Sequence, residues 1–193
     1  MSDLTYTVAW GISGSGDRLL DTIGVMKDVA SQLRGRVIIQ VYLSKAGYQV
    51  VRYYKVENEL VDTFGKLHKE INSNSPFLAG AIQLQTFDFF LIAPATANTV
   101  AKISLGIADS LLCNAAIMAL KAFVPVYVMP SDYQEGIVIT KLPNGRDMRL
   151  KIRKEDVAHV NRLSEMEGIG VLKTPEAISE LFTELYVSST PEA

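Results

Sequence analysis

The sequence holds a single cysteine, Cys113, in 193 residues. One thiol excludes a disulfide framework, and it excludes the multi-cysteine spacing that an iron–sulfur cluster or a structural zinc needs. Any redox chemistry must therefore use an organic cofactor, and no metal site is expected. An excess of one charge is missing too. The 19 Lys and Arg stand against 21 Asp and Glu, a net charge of −2, which leaves no footprint for a nucleic-acid backbone or an anionic membrane. No apolar run approaches the length of a membrane span, and no charged segment followed by a long apolar stretch stands at the N-terminus. The expected location is cytoplasmic.

What is present is a hydrophobic content of 48%. It suffices for one substantial core, and the length fits one domain over residues 1–193. Mean hydropathy is +0.17, high for a small monomer, which points to apolar surface covered by further copies of the chain.

Thr5 to Trp10 reads as a first strand, followed by a glycine loop and a helix over about 17–34 with Leu19, Ile23, Met26 and Val29 on its apolar positions. Val37–Leu43, a nearly continuous β-branched run, reads as a strand buried on both faces of a parallel sheet. Helical spacing returns through Leu60, Val61, Phe64, Leu67 and Ile71, which places His68 in a helix. Phe87–Ile92 gives a third strand, and the irregular turns before it leave room for one more short strand. One or two helices packed through small residues then lead to a buried strand at 124–130. Strands alternate with helices, so the fold class is α/β, a doubly wound parallel sheet with its core over about 5–130. Beyond Asp132, two strand-like arms surround Pro143-Asn144-Gly145, a hairpin turn. A helix over 155–167, a short strand at 170–172 and a last helix to about Tyr186 complete a hairpin and helical appendage over about 136–186. Thr174 is the expected N-cap of that last helix, and Ser188–Ala193 are expected to fray.

The glycine loop, "GISGSG", offers backbone N–H groups at the start of a helix, and its serines add donors, which suits a phosphate. Gly11, Ser13, Gly14 and Ser15 fit that role. Their spacing is neither the G-x-G-x-x-G of dinucleotide folds nor the Gly-Lys-Ser/Thr of a nucleotide triphosphate loop. After the second strand the chain offers Leu43-Ser44-Lys45 where a dinucleotide fold holds its ribose with a carboxylate. A mononucleotide is thus favoured over NAD, with a simple tight turn as the competing reading. In the second unusual stretch, "LIAPATANTV", a strand ends in small residues that admit a flat ligand, and Asn98 and Thr99 supply polar groups at a helix start. A helix capped by Asn98 or Thr99 is the competing reading there.

Three motifs in order, Gly11-Ile12-Ser13-Gly14, Ser44, and Pro94-Ala95-Thr96-Ala97-Asn98-Thr99 followed by Gly106-Ile107-Ala108-Asp109-Ser110-Leu111-Leu112, resemble the flavin-binding family of phosphopantothenoylcysteine decarboxylases, lantibiotic cysteine decarboxylases and flavin prenyltransferases. The resemblance implies a Rossmann-like flavoprotein that binds FMN between subunits of a trimer or larger homo-oligomer. By that resemblance Gly11, Ile12, Ser13 and Ser44 match positions at the phosphate end. Thr96, Ala97, Asn98 and Thr99 match positions beside the ribityl chain and ring.

Departures from the pattern narrow the branch. The decarboxylases' histidine is absent from "FLAGAIQLQTFDFF", and Met129-Pro130-Ser131-Asp132-Tyr133 replaces both their Pro-x-Met-Asn segment and the prenyltransferases' arginine–glutamate pair. The segments "VAWGISGSG", "PSDYQEG" and the C-terminal region are similar instead to the archaeoflavoproteins and dihydromethanopterin reductases. That similarity implies an FMN-dependent oxidoreductase or electron carrier, served by a ferredoxin-like or nicotinamide donor and passing electrons to a pterin or flavoprotein acceptor. A flavin-dependent decarboxylase of a cysteinyl substrate, or a prenyltransferase-like protein, is the alternative. Asp132, Tyr133 and Glu135 are candidates for contacting the second ligand, against a plain polar loop. Lys141, Arg146, Arg149, Lys151, Arg153 and Lys154 could dock an acidic ferredoxin or simply face solvent. Cys113, among Leu and Ala, reads as a packing residue. No catalytic residue is assigned.

Overall fold

The computed structural model describes residues 5–187, so the expectation for Ser188–Ala193 lies outside the described residues. Along the chain run β1 (Tyr6–Ile12), α1 (Leu19–Gln32), β2 (Val37–Leu43), α2 (Lys45–Tyr53), α3 (Glu57–Phe64), β3 (Leu67–Lys69), α4 (Leu78–Gln83) and β4 (Phe89–Ala95). Then follow α5 (Ala97–Ser104), α6 (Leu111–Lys121), β5 (Val126–Pro130), β6 (Gly136–Lys141), β7 (Asp147–Ile152), α7 (Lys154–Ser164), β8 (Ile169–Val171) and α8 (Glu176–Tyr186). Six strands form one sheet in the order β3-β2-β1-β4-β5-β8, and every pairing in it is parallel. The chain works outward from β1 to β3, then restarts beside β1 with β4. The carboxyl ends of β1 and β4 are therefore the switch point where sheets of this kind open a crevice.

Each face of the sheet carries its own core. Val8, Trp10 and Ile12 of β1 point to one face and pack with Leu19, Ile23 and Met26 of α1 and with Ile178 and Phe182 of α8. On the other face, Phe90 and Ile92 meet Val100, Ile103, Leu112 and Ala116 of the small-residue helices and Val160 and Leu163 of α7. This alternation follows from the two-residue period of a strand whose both sides are buried. The hairpin β6–β7 forms a separate two-stranded antiparallel sheet. The chain beyond it returns to the core, because β8 pairs with β5 and α8 packs on α1.

Several sequence expectations are corrected. The first strand runs on through Gly11 and Ile12, and α1 starts at Leu19. The helix expected through Leu60 and Ile71 is the end of α3 and the short strand β3, which puts His68 in a strand, stacked on Tyr42 with ring centroids 4.7 Å apart. Gly65, with positive φ, breaks the helical run, which apolar spacing alone does not show. Helices α2 and α4 were not anticipated. Thr96 caps α5, where Asn98 or Thr99 was expected, and Pro175 takes the position expected for Thr174 at α8.

Candidate functional site

Two loops are stitched together at the switch point. Ser13, fully buried at the end of β1, donates from Oγ to the Pro94 carbonyl (2.9 Å) and accepts from the Thr96 amide (2.8 Å). Ser15 and Ser131 join their hydroxyls at 2.6 Å, which ties the loop after β1 to the end of β5. The Ser44 and Thr96 side chains cap α2 and α5, accepting from the amides of Gly47 (2.9 Å) and Thr99 (3.2 Å). Gly47 lies so close to β1 that a Cβ on it would stand 2.1 Å from the Ile12 carbonyl oxygen. Only glycine lets the start of α2 sit on the end of β1.

A cavity of about 470 Å³ opens there, lined by Gly14, Ser44, Thr96, Asn98, Thr99 and Lys102 among others. Two helix N-termini face this cavity, and the first amides of a helix have no partner within it. The amide of Gly14 lacks an acceptor among the described residues, as does that of Ser15, which lines the adjoining cavity instead. Free backbone donors, hydroxyls and an amide are the complement a phosphate and a polyol chain require. Glu70, which the sequence reading missed, accepts from the Lys45 amide (2.9 Å) and the Leu111 amide (3.0 Å), so one carboxylate bridges the starts of α2 and α6. Lys102 is paired with Asp109 at 2.9 Å. Cys113 lines the same cavity, and burial pushes its thiol pKa up, which keeps it protonated.

A second cavity, of about 310 Å³, lies on the other side of Gly14 and Thr96. Its walls come from α2 and the hairpin, and its polar end from Ser15, Asp17, Ser131 and Asp132. The structure thus brings Gly14, Ser15, Ser44, Thr96, Asn98, Thr99 and Asp132 of the expected residues to the rims of two adjoining cavities. Gly11, Ile12, Ser13, Pro94 and Ala95 are buried behind them, Ala97 opens α5, and Tyr133 packs against the core. Glu135 is exposed and lines neither cavity. His159 is within 3.1 Å of Ser104 Oγ, away from both. Asp17, Tyr53 and Tyr54 were missed because the residues that share the cavity with them, from Ser131 onward, lie far along the chain. Among the described residues no group of three His, Cys, Asp or Glu could hold a metal, and no helix is long and apolar enough to cross a membrane.

Burial raises the Asp132 carboxyl above its ordinary 3.8, and the nearby carboxylates Asp156 and Asp17 add to the rise. A carboxylate whose folded pKa exceeds its unfolded one costs stability at pH values above the folded pKa. The cost fades as pH falls through the ordinary carboxylate range. Asp132→Asn therefore raises Tm over wild type at pH 7, and thermal melts repeated toward pH 4 show the gain shrinking to nothing.

A parallel doubly wound sheet with a donor-lined crevice at its switch point defines a mononucleotide-binding α/β protein. The chain belongs to the Flavoprotein family, whose model matches residues 2–186. It is 45% identical to an uncharacterized protein of Methanocaldococcus jannaschii over 90% of this chain and 92% of the relative. It is 30% identical to the dihydromethanopterin reductase (acceptor) of Methanosarcina mazei over 91% of this chain and 98% of that one. Among solved structures it resembles Burkholderia xenovorans DmrB in complex with FMN, a cubic protein cage for redox transfer, with TM-score 0.78, 28% identity and 97% of each chain covered.

Proposed function

We propose that this protein is an FMN-dependent oxidoreductase of the dihydropterin-reductase kind, passing reducing equivalents through FMN held at the switch point. The observation that carries the reading is the donor set on the larger cavity, with the unpaired amide of Gly14 beside two capped helix starts. The fit extends along the cavity. Gly14 and Ser15 with the first turn of α2 hold the phosphate, Ser44 orients that turn, and Thr96, Asn98 and Thr99 face the ribityl hydroxyls and ring. Ser13 acts through its neighbours, because both of its hydrogen bonds lock the Pro94–Thr96 turn against β1. When bound, FMN supplies hydride transfer between an external electron donor and the acceptor.

With one cysteine in the chain, electrons come from outside, from a ferredoxin-like or nicotinamide donor. The cage formed by DmrB supports self-association here, and exposed Phe77, Leu84 and Phe123 around α4 and the end of α6 give apolar surface for it. A single 193-residue domain, located in the cytoplasm, completes the proposal.

The test is direct. Purified protein is yellow, or becomes so with added FMN, and the anaerobically reduced protein is reoxidised rapidly by dihydromethanopterin or a dihydrofolate analogue. A colourless protein that takes up no FMN ends the flavin reading. A flavin that reoxidises only with a partner flavoprotein, and ignores pterins, ends the reductase reading in favour of an electron carrier.

A further inference from the structure

The hairpin β6–β7 has two unlike faces. Ile137, Ile139, Arg149 and Lys151 alternate on one side, all exposed, while Val138, Thr140, Met148 and Leu150 line the smaller cavity from the other. Register agrees, since Val138 pairs with Leu150 and Thr140 with Met148. Across the space stand Val50 and Tyr53 of α2. Tyr54 Oη donates to the Lys141 carbonyl at 3.1 Å, which fastens the hairpin to α2. The result is a slot with two apolar walls, suited to the faces of a flat ring.

Its inner end is acidic. Asp17 and Asp132 line the slot, and no Lys, Arg or His does. Asp17 has only a loose ion pair with Arg18 at 3.8 Å, and Asp132 has no hydrogen-bond donor among the described residues. A partly buried carboxylate without donors is costly, and a ligand that brings N–H groups removes the cost. A phosphate or carboxylate would be repelled there. The volume, about 310 Å³, stands at the low end for small-molecule sites, enough for one or two rings. Because Gly14 and Thr96 line both cavities, ligands in the two spaces meet across those residues.

We infer that the slot beneath the hairpin seats the ring of the second ligand, and that Asp17 and Asp132 select a neutral or cationic nitrogen heterocycle by its N–H edge and keep anionic groups away from the inner end of the slot. The raised pKa of Asp132 is consistent with a carboxylate lacking its donor. The inference deepens the reductase reading and rests on it for the identity of the heterocycle. It separates this chain from anionic prenyl-phosphate and cysteinyl-carboxylate substrates on the chemistry of the slot itself.

Pterin and lumazine are matched probes, alike in size, with an oxo group in lumazine replacing the exocyclic amino donor. Their own fluorescence anisotropy reports binding without any flavin, so a failure of FMN binding and a failure of the slot are read separately. Pterin is expected to bind about tenfold tighter than lumazine, the effect of one charge-assisted hydrogen bond. Asp17→Asn/Asp132→Asn abolishes that preference while FMN affinity stays unchanged. Met148→Trp, which fills the slot from the hairpin side, removes binding of both probes in a protein that still melts cooperatively. Equal affinity for the two probes, a preference that survives the double substitution, or pterin binding unaffected by Met148→Trp would each overturn the inference.

Discussion

Gly14→Asp strips the protein of FMN. Gly14 stands between the two cavities and does not need a left-handed backbone, so a side chain there meets a packing obstacle only: its Cβ would lie 2.6 Å from the Ala46 Cβ at the start of α2. The added carboxylate then faces the phosphate across the free amides that should hold it. Like charges forced together cost several kcal/mol, so FMN affinity falls by more than about 100-fold. Flavin fluorescence titration measures the loss. Two companions separate charge from shape. Gly14→Ala/Ala46→Gly exchanges the methyl group between the two positions and binds FMN normally, whereas Gly14→Asp/Ala46→Gly relieves the contact and still does not. Normal FMN affinity in the latter variant would show that the phosphate lies elsewhere.

Trp10→Ala produces the largest loss of stability. Trp10 is fully buried in β1 and meets Phe64 edge to face at 5.3 Å. Its Nε1 donates to the Ala93 carbonyl at 2.8 Å, close to the shifted register between β4 and β5 at Ile92 and Ala95. Truncation opens a cavity and leaves that carbonyl without its partner. The cost is about 3–5 kcal/mol, or a fall in Tm of about 10 °C for a chain of this size. Because Ala93 immediately precedes the Pro94–Thr99 turn, FMN affinity falls as well. Trp10→Phe keeps most of the volume and loses the hydrogen bond, so it should lie between. A melt within a degree or two of wild type for Trp10→Ala would contradict the role given to this indole.

The fold was legible where the residues speak for themselves. Val37–Leu43 was placed to the residue because a β-branched run flanked by polar turns admits no other element of that length. The hairpin turn at Asn144-Gly145 was equally plain. Misreadings arose where a local pattern was ambiguous. Leu60, Val61, Phe64 and Leu67 keep helical spacing across a break made by Gly65, and the cap of α5, Thr96, lies two or three residues before the expected Asn98 or Thr99. Of the candidate site, Ser44, Asn98 and Thr99 were legible as polar residues after strand ends, and Thr96 through the family resemblance. Ser13 was visible too, but its work as a tie between two loops was not, because both of its partners lie more than eighty residues away.

By itself, the sequence determined the alternation of strands and helices, and its lone thiol excluded a disulfide framework and cysteine-ligated clusters. Those conclusions need only short-range pattern and composition, since strand period, glycine tolerance and ligand counting act within a few residues. The tertiary structure alone decided that two cavities share Gly14 and Thr96, that Glu70 bridges two helix starts, and that the hairpin roofs an acidic slot against α2. Each of these depends on backbone segments brought together by burial of apolar faces, a non-directional force that marks an apolar face in the sequence but not the partner it meets.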